Sequence, residues 1–258
     1  MPGILKDKVA IVFGGTGHVG SAICEVLSAQ GAKVIIHYHH RKEAANKIID
    51  KIINNGGGAK ALQADVTDEE AVNSLMTKTV SLFGQIDIIV NTVHREFNPI
   101  LIADMKWEDW TVHIEALKGH FYICKSVLPY MRKQNHGHIV FISAGLSSRF
   151  FKGCSAFTTI KAGLNGFCKT LALEEGEHNI TVNIVAPGRV LSNEGGSSMD
   201  NAEAWEQIEQ NQISKTPLKR SATPDDVANA VLYFVSPGAS CITGQTLFVA
   251  GGEVMPMP

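Results

Sequence analysis

A glycine-rich run near the N-terminus is the first stretch whose residue types could do chemistry. It reads Gly14-Gly15-Thr16-Gly17-His18-Val19-Gly20 and lies between an apolar run and a helical stretch. Glycine allows a tight strand-to-helix turn, and the backbone can then approach a pyrophosphate whose charge faces free N–H groups at the start of the helix. The run predicts a dinucleotide site that includes Gly14, Thr16, Gly17 and Gly20. The alternative is a tight turn that holds no ligand.

The end of the second apolar run bears on which dinucleotide would bind. NAD sites usually place an acid there, about 20 residues beyond the glycines, on the ribose hydroxyls. This chain has no acid in the stretch, which reads His37-Tyr38-His39-His40-Arg41-Lys42. Two interpretations stay open: Arg41, together with His39 or His40, holds the 2′-phosphate of NADP, or these residues form a solvated basic corner.

The elements that must position these residues alternate between strand and helix. Apolar runs rich in β-forming residues predict strands at 9–13, 34–36, 86–90, 138–142, 181–185 and 246–249, and the short run at 60–63 predicts a seventh. Several of these runs are continuously apolar, which is typical of strands covered on both faces. Amphipathic stretches predict helices at 22–30, 42–54, 68–83, 107–134, 155–175 and 224–235. The alternation predicts an α/β fold, a Rossmann-like, doubly wound parallel sheet with helices on both faces. We expect residues 1–258 to form one domain, with a polar loop at 192–200.

Composition excludes several classes of partner. The 258 residues carry 23 Lys and Arg against 25 Asp and Glu, so a net charge of −2 lacks the positive field that nucleic-acid binding needs. No stretch approaches the roughly 18 apolar residues of a membrane span, and we expect neither export nor membrane insertion. Five cysteines, without a CxxC pair or a histidine at zinc-ligand spacing, indicate reduced thiols in a cytoplasmic protein with no metal site.

Several short motifs together resemble the short-chain dehydrogenase/reductase family, and the match covers essentially the whole chain. Besides the glycine turn they are Asp65-Val66, Asn91, Lys161, Pro187-Gly188, Thr243-Gly244-Gln245 and Gly251-Gly252. The resemblance implies that Asp65 and Val66 contact the adenine. It places four further residues in an NAD(P) site: Asn91, Lys161, Pro187 and Gly188. It also implies a tetramer or dimer formed through the helices at 107–134 and 155–175 and the last strand.

The catalytic residues that the resemblance implies are mostly replaced. Family enzymes use Tyr-x-x-x-Lys, in which the lysine lowers the pKa of the tyrosine hydroxyl that exchanges a proton with the substrate oxygen. This chain has Phe157 at the tyrosine position, and phenylalanine cannot donate or accept a proton. The family's serine falls on Ala144, thirteen residues earlier, and its asparagine falls on Ala116. Only Lys161 keeps its type.

The nucleotide motifs depart from the family pattern as well. His18 stands at the middle glycine of the usual turn, although Gly14, Gly17 and Gly20 match the spacing of the family's extended members. His94 stands where the family has the last glycine of Asn-Asn-Ala-Gly, and its imidazole is expected to obstruct the cofactor ribose. Two outcomes stay open, a retained NAD(P) site that prefers NADP and a site that has been lost.

One residue is a candidate to take over the proton transfer. Cys154 lies seven residues before Lys161, two helical turns away on about the same face, and a thiol can act as an acid near a lysine. The commoner case is a small packed thiol. Ser143 is a poor replacement for the lost serine, because adjacent residues on a strand point to opposite faces.

Other polar residues in the region are expected to have structural roles. Ser155 is expected to be a helix N-cap, and Thr158 a contact on the helix face. His94, His113 and His120 suggest acid or base chemistry, but lone histidines are usually surface or packing residues. No two of them share a convincing metal-ligand spacing.

These residues support two main hypotheses of function. In the first, the chain is a non-catalytic or impaired subunit of a heteromeric NAD(P)-dependent alcohol or ketone dehydrogenase, whose homologous partner supplies the chemistry. The resemblance includes such an enzyme for a hydroxyacyl-CoA thioester. In the second, the chain is an atypical NADP-dependent oxidoreductase, or a non-redox enzyme such as a cyclase or dehydratase that reuses the same pocket. A protein that senses a dinucleotide or acyl thioester is a third hypothesis.

The substrate is left open by the sequence. In the family it is set by the loop after Pro187-Gly188 and by residues corresponding to 146–154. The second stretch mixes Phe150 and Phe151 with Arg149 and Lys152. It suits an aromatic or anionic thioester, and it equally suits an interface loop.

Overall fold

A computed structural model describes residues 3–94, 99–148, 150–190, 213–214 and 216–255. Its strands are β1 (Val9–Phe13), β2 (Lys33–Tyr38), β3 (Gly58–Gln63), β4 (Ile88–Asn91), β5 (Gly137–Ile142), β6 (Ile180–Pro187) and β7 (Thr246–Val249). The helices are α1 (His18–Ala29), α2 (Lys42–Asn54), α3 (Glu69–Phe83), α4 (Trp107–Gln134), α5 (Ser155–Glu175) and α6 (Pro224–Phe234). The predicted alternation of strand and helix is confirmed.

The seven strands form one sheet in the order β3-β2-β1-β4-β5-β6-β7, and every neighbouring pair is parallel. Side chains of α3, α4 and α5 fill the core on one face, and those of α1, α2 and α6 fill the core on the other. Because helices cover both faces, the inner strands are apolar at nearly every position, as the continuous runs predicted. The Rossmann-like fold is therefore confirmed.

The strand order reverses between β1 and β4, and this reversal places the candidate site. The ends of the two strands lie side by side, with Phe13 in register with Asn91. In an open parallel sheet, ligands bind in the crevice outside the carboxyl ends of the strands where the order reverses. The glycine turn follows β1 directly, so it lies at this crevice.

Some predicted boundaries are wrong. α1 begins at His18 rather than residue 22, because Gly17 is already the extended N-cap and the helix includes Gly20. β4 begins at Ile88 rather than residue 86, since the N–H of Ile86 donates to the side chain of Gln134 instead of a neighbouring strand.

The residue that caps α5 is also not the predicted one. Cys154 occupies the N-cap position, and Ser155 is the first helical residue. The buried Oγ of Ser155 has no hydrogen-bond partner, so this side chain does not cap the helix.

Three further predictions concern membrane spans, the cysteines and the polar loop. In the ranges that the structure describes, no helix combines the length and apolar character needed to cross a membrane. All five cysteines are unpaired, and only Cys241 is exposed. The polar loop predicted at 192–200 lies outside the described residues.

Candidate active site

The glycine turn is held together by bonds to its neighbours. Gly14 has a φ of +72°, which glycine adopts without strain. Thr92 Oγ1 donates to the carbonyl of Phe13 at 2.9 Å, which ties the end of β4 to the turn. A Cβ on Gly20 would lie 2.2 Å from the carbonyl oxygen of Gly14, so only glycine fits there. The first N–H groups of α1 have no acceptor within the helix and are available to a phosphate.

His37 is a structural residue of this turn that the sequence did not single out. Its Nδ1 accepts a hydrogen bond from the N–H of Gly14 at 3.1 Å, and its Nε2 lies 3.1 Å from the carbonyl oxygen of Ala64. Burial lowers the pKa of His37 to about 4, so the ring is neutral at pH 7. The side chain is therefore part of the scaffold and adds no positive charge to the basic corner.

The basic corner lies at the start of α2. Arg41 is exposed and occupies the N-cap position of α2. The rings of His39 and His40 stack with centroids 3.6 Å apart, and His39 Nε2 lies 3.7 Å from a carboxylate oxygen of Asp65. The other oxygen of Asp65 accepts from the N–H and hydroxyl of Thr67, each at 2.8 Å. These contacts bring the predicted ribose and adenine residues to one corner.

Asn91 and His120 form a buried pair behind the crevice. The Oδ1 of Asn91 accepts from the N–H of Val93 at 3.0 Å, so its Nδ2 faces His120 Nδ1 at 2.5 Å and donates to it. The imidazole of His120 therefore carries its hydrogen on Nε2. Burial, reinforced by the charge of Lys161, lowers the pKa of His120 to about 3. His120 is thus a neutral packing residue, which fits the structural role expected of it.

Lys161 and Phe157 occupy the positions of the expected catalytic pair. Lys161 is 5% exposed, and its Nζ donates to the carbonyl of Ile142 at 3.1 Å. The same Nζ lies 5.5 Å from the centroid of the Phe157 ring, which carries no hydroxyl. Burial lowers the pKa of Lys161 to about 8. Ala116 and Ala144 are only partly buried, and neither side chain has a polar atom.

The structure gives different roles to His113 and Ser143. The ring of His113 packs edge-on against Phe157, with centroids 6.2 Å apart, and is only 9% exposed. This histidine therefore borders the site, and its position on an amphipathic helix was the one sequence signal that it carried. Ser143 is buried and its hydroxyl donates to Asn165 Oδ1 at 3.0 Å. Its hydroxyl is thus engaged with α5 rather than standing in for the lost serine.

The structure does not favour Cys154 as a replacement acid. The thiol is 5% exposed and lies 3.8 Å from the carbonyl oxygen of Lys152. Burial raises its pKa, which makes it a weaker acid than a free thiol. His94, by contrast, is exposed, and its Nδ1 lies 3.1 Å from the carbonyl oxygen of Thr92.

The C-terminal residues form a wall beside the remaining family motifs. The N–H of Gly188, next to Pro187, donates to the carbonyl of Val249 at 3.0 Å. A Cβ on Gly188 would lie 3.0 Å from Glu253 Oε2, and one on Gly145 would lie 3.0 Å from Val254 Cγ2. The tail therefore contacts the residues that follow both β5 and β6.

Comparisons with known proteins agree with this geometry. A family model described as enoyl-(acyl carrier protein) reductase matches residues 16–253. The 3-oxoacyl-acyl-carrier-protein reductases of Synechocystis sp. and Escherichia coli are 36% and 35% identical to the chain, each over 97% of it and 98% of the relative. Glucose 1-dehydrogenase 2 of Bacillus subtilis is 33% identical over 97% of the chain and 96% of its own length.

Two solved structures with the same fold contain a nicotinamide cofactor. An NAD+-bound xylitol dehydrogenase superposes with a TM-score of 0.89 at 25% identity, covering 96% of this chain and 99% of the other. A 7α-hydroxysteroid dehydrogenase in complex with NADH and a 7-oxo bile acid has a TM-score of 0.88 at 30% identity, with 98% and 97% covered.

Proposed function

The chain belongs to the short-chain dehydrogenase/reductase family, and from that premise we propose that it is a catalytically impaired subunit of a heteromeric NAD(P)-dependent dehydrogenase. A homologous subunit with an intact serine, tyrosine and lysine supplies the chemistry. The substrate of the complex is an alcohol or ketone, with hydroxyacyl thioesters as the favoured class. The relatives named as 3-oxoacyl reductases support that class.

The observation that carries the proposal is the pairing of Phe157 with Lys161. A proton must reach the substrate oxygen when hydride is added to a ketone, and in the family a tyrosine hydroxyl delivers it. Here the phenyl ring lies beside the ammonium at 5.5 Å, and the ammonium donates to a backbone carbonyl instead of acting on a hydroxyl. Removing a general acid typically costs about 10²- to 10⁴-fold in rate.

The other replacements support the same conclusion. Ala116 and Ala144 remove the two further polar side chains, whereas the residues that build the sheet and pack the helices are kept. A phenyl ring in place of a phenol and a methyl group in place of short polar side chains leave the volume of the core nearly unchanged. The chain has therefore lost the chemistry while keeping the fold and the surfaces through which subunits of this kind would assemble.

The residues present fit a dinucleotide. Gly20 lies so close to the carbonyl oxygen of Gly14 that there is no room for a Cβ on it. The N-terminus of α1 offers free N–H groups for the pyrophosphate. The residues that would hold the cofactor are Gly14, Thr16, Gly17, Gly20, Arg41, Asp65, Val66, Asn91, Lys161, Pro187 and Gly188. A bound nicotinamide would supply or accept hydride. The missing acid at the end of β2 and the exposed Arg41 favour NADP over NAD.

The proposal is tested by co-expressing this chain with a family member that is encoded by a neighbouring gene and has an intact serine, tyrosine and lysine. We expect the two chains to co-purify, and native mass measurement to show a heterotetramer. The complex should oxidise or reduce acyl-CoA substrates such as acetoacetyl-CoA, and replacing the partner's tyrosine with phenylalanine should abolish that activity. Vigorous NADPH-dependent turnover by this chain alone would overturn the proposal.

A second candidate is an atypical NADP-dependent enzyme, or a non-redox catalyst, working in the same site. Its support is the retained Lys161 and the buried His113 beside Phe157, which are both titratable. Purified homomer incubated with NADPH and a panel of ketones and unsaturated thioesters distinguishes the two candidates. Product formed by the homomer, and lost in Lys161→Gln, would favour the second.

A further inference from the structure

A buried carboxylate, that of Asp87, lies at the amino-terminal end of the sheet. Its side chain is 4% exposed and accepts hydrogen bonds from the N–H of Val9 at 2.8 Å, the amide of Gln85 at 2.7 Å and the ammonium of Lys8 at 3.0 Å. Val9 begins β1, so this cluster lies at the opposite end of the strand from the glycine turn. The ammonium of Lys8 supplies the positive charge that a buried carboxylate needs.

His136 is a second partner of the Lys8 ammonium. The Nζ of Lys8 lies 3.1 Å from His136 Nε2, and because an ammonium can only donate, Nε2 accepts and the ring hydrogen lies on Nδ1. The same Nε2 lies 3.8 Å from Asp87 Oδ1. A proton that adds to this ring must go to Nε2, where it removes the acceptor of Lys8 and puts two positive charges side by side. The side chain of His136 is 35% exposed, so solvent can deliver that proton.

The titratable groups that the described residues place around the His136 ring are Lys8, Asp87 and His138, whose ring meets it edge-on with centroids 4.9 Å apart. Burial lowers the pKa of His138 to about 4, and its Nδ1 lies 2.8 Å from Thr181 Oγ1, so this second ring is neutral at pH 5.5 and above. Burial and the charge of Lys8 lower the pKa of His136, against the opposing effect of Asp87. The folded state with Lys8 in place therefore resists a proton that an unfolded chain accepts near pH 6.5.

The backbone next to Lys8 is strained. Asp7 has a φ of +65°, a left-handed conformation that residues other than glycine rarely adopt. Its carbonyl oxygen accepts from the amide of Gln85 at 3.1 Å, and that amide also donates to Asp87. Such a conformation persists where surrounding contacts hold it, and here those contacts include the Asp87 cluster. The side chain of Lys8 is 37% exposed, so its ammonium can reach solvent.

We propose that Lys8, Asp87 and His136 form an acid-sensitive lock on the N-terminal segment, residues 3–8. When His136 takes up a proton from solvent, its imidazolium replaces Lys8 as the partner of Asp87. The ammonium of Lys8 moves into solvent, and the turn at Asp7 opens. The lock lies at the other end of the sheet from the dinucleotide crevice, so it goes beyond the proposed function and is measured on this chain alone.

Hydrogen–deuterium exchange at pH 7.5 and 5.5 tests the proposal, with each rate corrected for the intrinsic pH dependence of exchange. The reporters are the amides of Leu5 and Lys8, which donate to the carbonyls of Gln30 and Leu5 in the closed segment. A ring that titrates near 6.5 only in the open state makes opening about tenfold more frequent at pH 5.5 than at pH 7.5, so we expect an increase of about fivefold or more. His136→Gln keeps a neutral acceptor for Lys8 and should reduce the increase to less than about twofold. His40→Gln, at an exposed position away from the cluster, should keep it.

Titration of the histidine rings by NMR keeps the test decisive if His136→Gln does not fold. In the unmodified protein His136 should titrate below pH 6.5, and Lys8→Met should raise its pKa because the ring then faces Asp87 without the ammonium. Lys6→Met removes the same charge from an exposed residue of the same segment and should leave that pKa unchanged. The proposal would be overturned by exchange of residues 3–8 that does not change with pH or whose pH dependence persists in His136→Gln. Equal effects of Lys8→Met and Lys6→Met on the pKa of His136 would overturn it as well.

Discussion

The imidazole of His37 and the backbone of Gly14 are joined by a hydrogen bond of 3.1 Å, in which the Gly14 N–H donates to Nδ1. Nε2 of the same ring carries the hydrogen and donates to the carbonyl of Ala64. One neutral side chain thus links β2, the glycine turn and the segment after β3. The position of the turn, and with it the proposed pyrophosphate site, depends on this ring.

Replacing His37 with alanine should destabilise the protein and weaken dinucleotide binding. The substitution leaves the N–H of Gly14 and the carbonyl of Ala64 without partners and opens a cavity, which together cost about 2 to 4 kcal/mol. Urea denaturation measures the loss. His40→Ala, at an exposed position, should change the free energy of unfolding by less than about 0.5 kcal/mol. Similar midpoints for the two variants would contradict the assignment of His37 to the scaffold.

Stability should fall as the pH is lowered from 7.5 to 5.5. Burial lowers the pKa of His37, His120 and His138 to about 4, 3 and 4, whereas the unfolded chain titrates near 6.5. Below pH 6.5 the unfolded state therefore binds more protons than the folded state, and the three groups together cost about 4 kcal/mol by pH 5.5. Urea denaturation at each pH measures this. His120→Leu should remove about a third of the fall, and an unchanged pH dependence would count against the buried neutral ring.

Restoring the three lost side chains should restore activity. The variant with Ala116→Asn, Ala144→Ser and Phe157→Tyr regains the hydroxyl beside Lys161 together with its two polar neighbours. With NADPH and acetoacetyl-CoA, we expect its turnover to exceed that of the unmodified chain by about 10² or more. Ala144→Ser alone should raise the turnover little, because residues that act as a unit contribute non-additively. A triple variant that binds NADPH and remains inactive would show that the site has diverged elsewhere.

Arg41 should decide the preference between the two dinucleotides. Its guanidinium at the start of α2 is exposed and available to a 2′-phosphate. Arg41→Ala is expected to weaken NADPH binding about tenfold and to leave NADH binding nearly unchanged, as measured by fluorescence titration. Lys47→Ala, which removes a charge from an exposed position on the same helix, is the control. Equal losses of affinity for NADPH and NADH would show that Arg41 does not recognise the 2′-phosphate.

The ion pair between Arg132 and Glu175 should contribute more to stability than a surface pair. The Glu175 carboxylate is 0% exposed and accepts from two guanidinium nitrogens, Nε at 2.8 Å and one terminal nitrogen at 2.5 Å. Arg132→Met leaves a buried carboxylate unpaired, at a cost of about 2 to 4 kcal/mol. Lys125→Met breaks an exposed pair with Glu69 and should cost less than about 1 kcal/mol. Thermal unfolding measures both, and equal losses would contradict the difference in burial.

The fold followed from the sequence because its strands are buried on both faces and separated by amphipathic helices. The glycine turn could be located from its own spacing, and Phe157 from the resemblance to the family's Tyr-x-x-x-Lys motif, since both motifs have a fixed length. The pairing of Asn91 with His120 could not, because it joins residues from β4 and α4 that are distant in the chain. The burial of His113 could not be predicted either, because the sequence around a histidine on an amphipathic helix does not show whether its side chain faces solvent or a site.

The start of α1 was misplaced for a related physical reason. Four glycines in the seven residues 14–20 indicate a loop by propensity, yet Gly20 lies within α1, where the carbonyl oxygen of Gly14 leaves no room for a Cβ. Packing overrode propensity at that position.

The contacts of Glu253 and Val254 with Gly188 and Gly145 have an evolutionary consequence. The tail follows the last strand, so substitutions in it do not disturb the sheet or either core. They do change the surroundings of Gly145 and Gly188, the residues directly after Ala144 and Pro187. Residues 253 and 254 can therefore vary, and with them the surroundings of Gly145 and Gly188, without any change in the residues that pack the two cores.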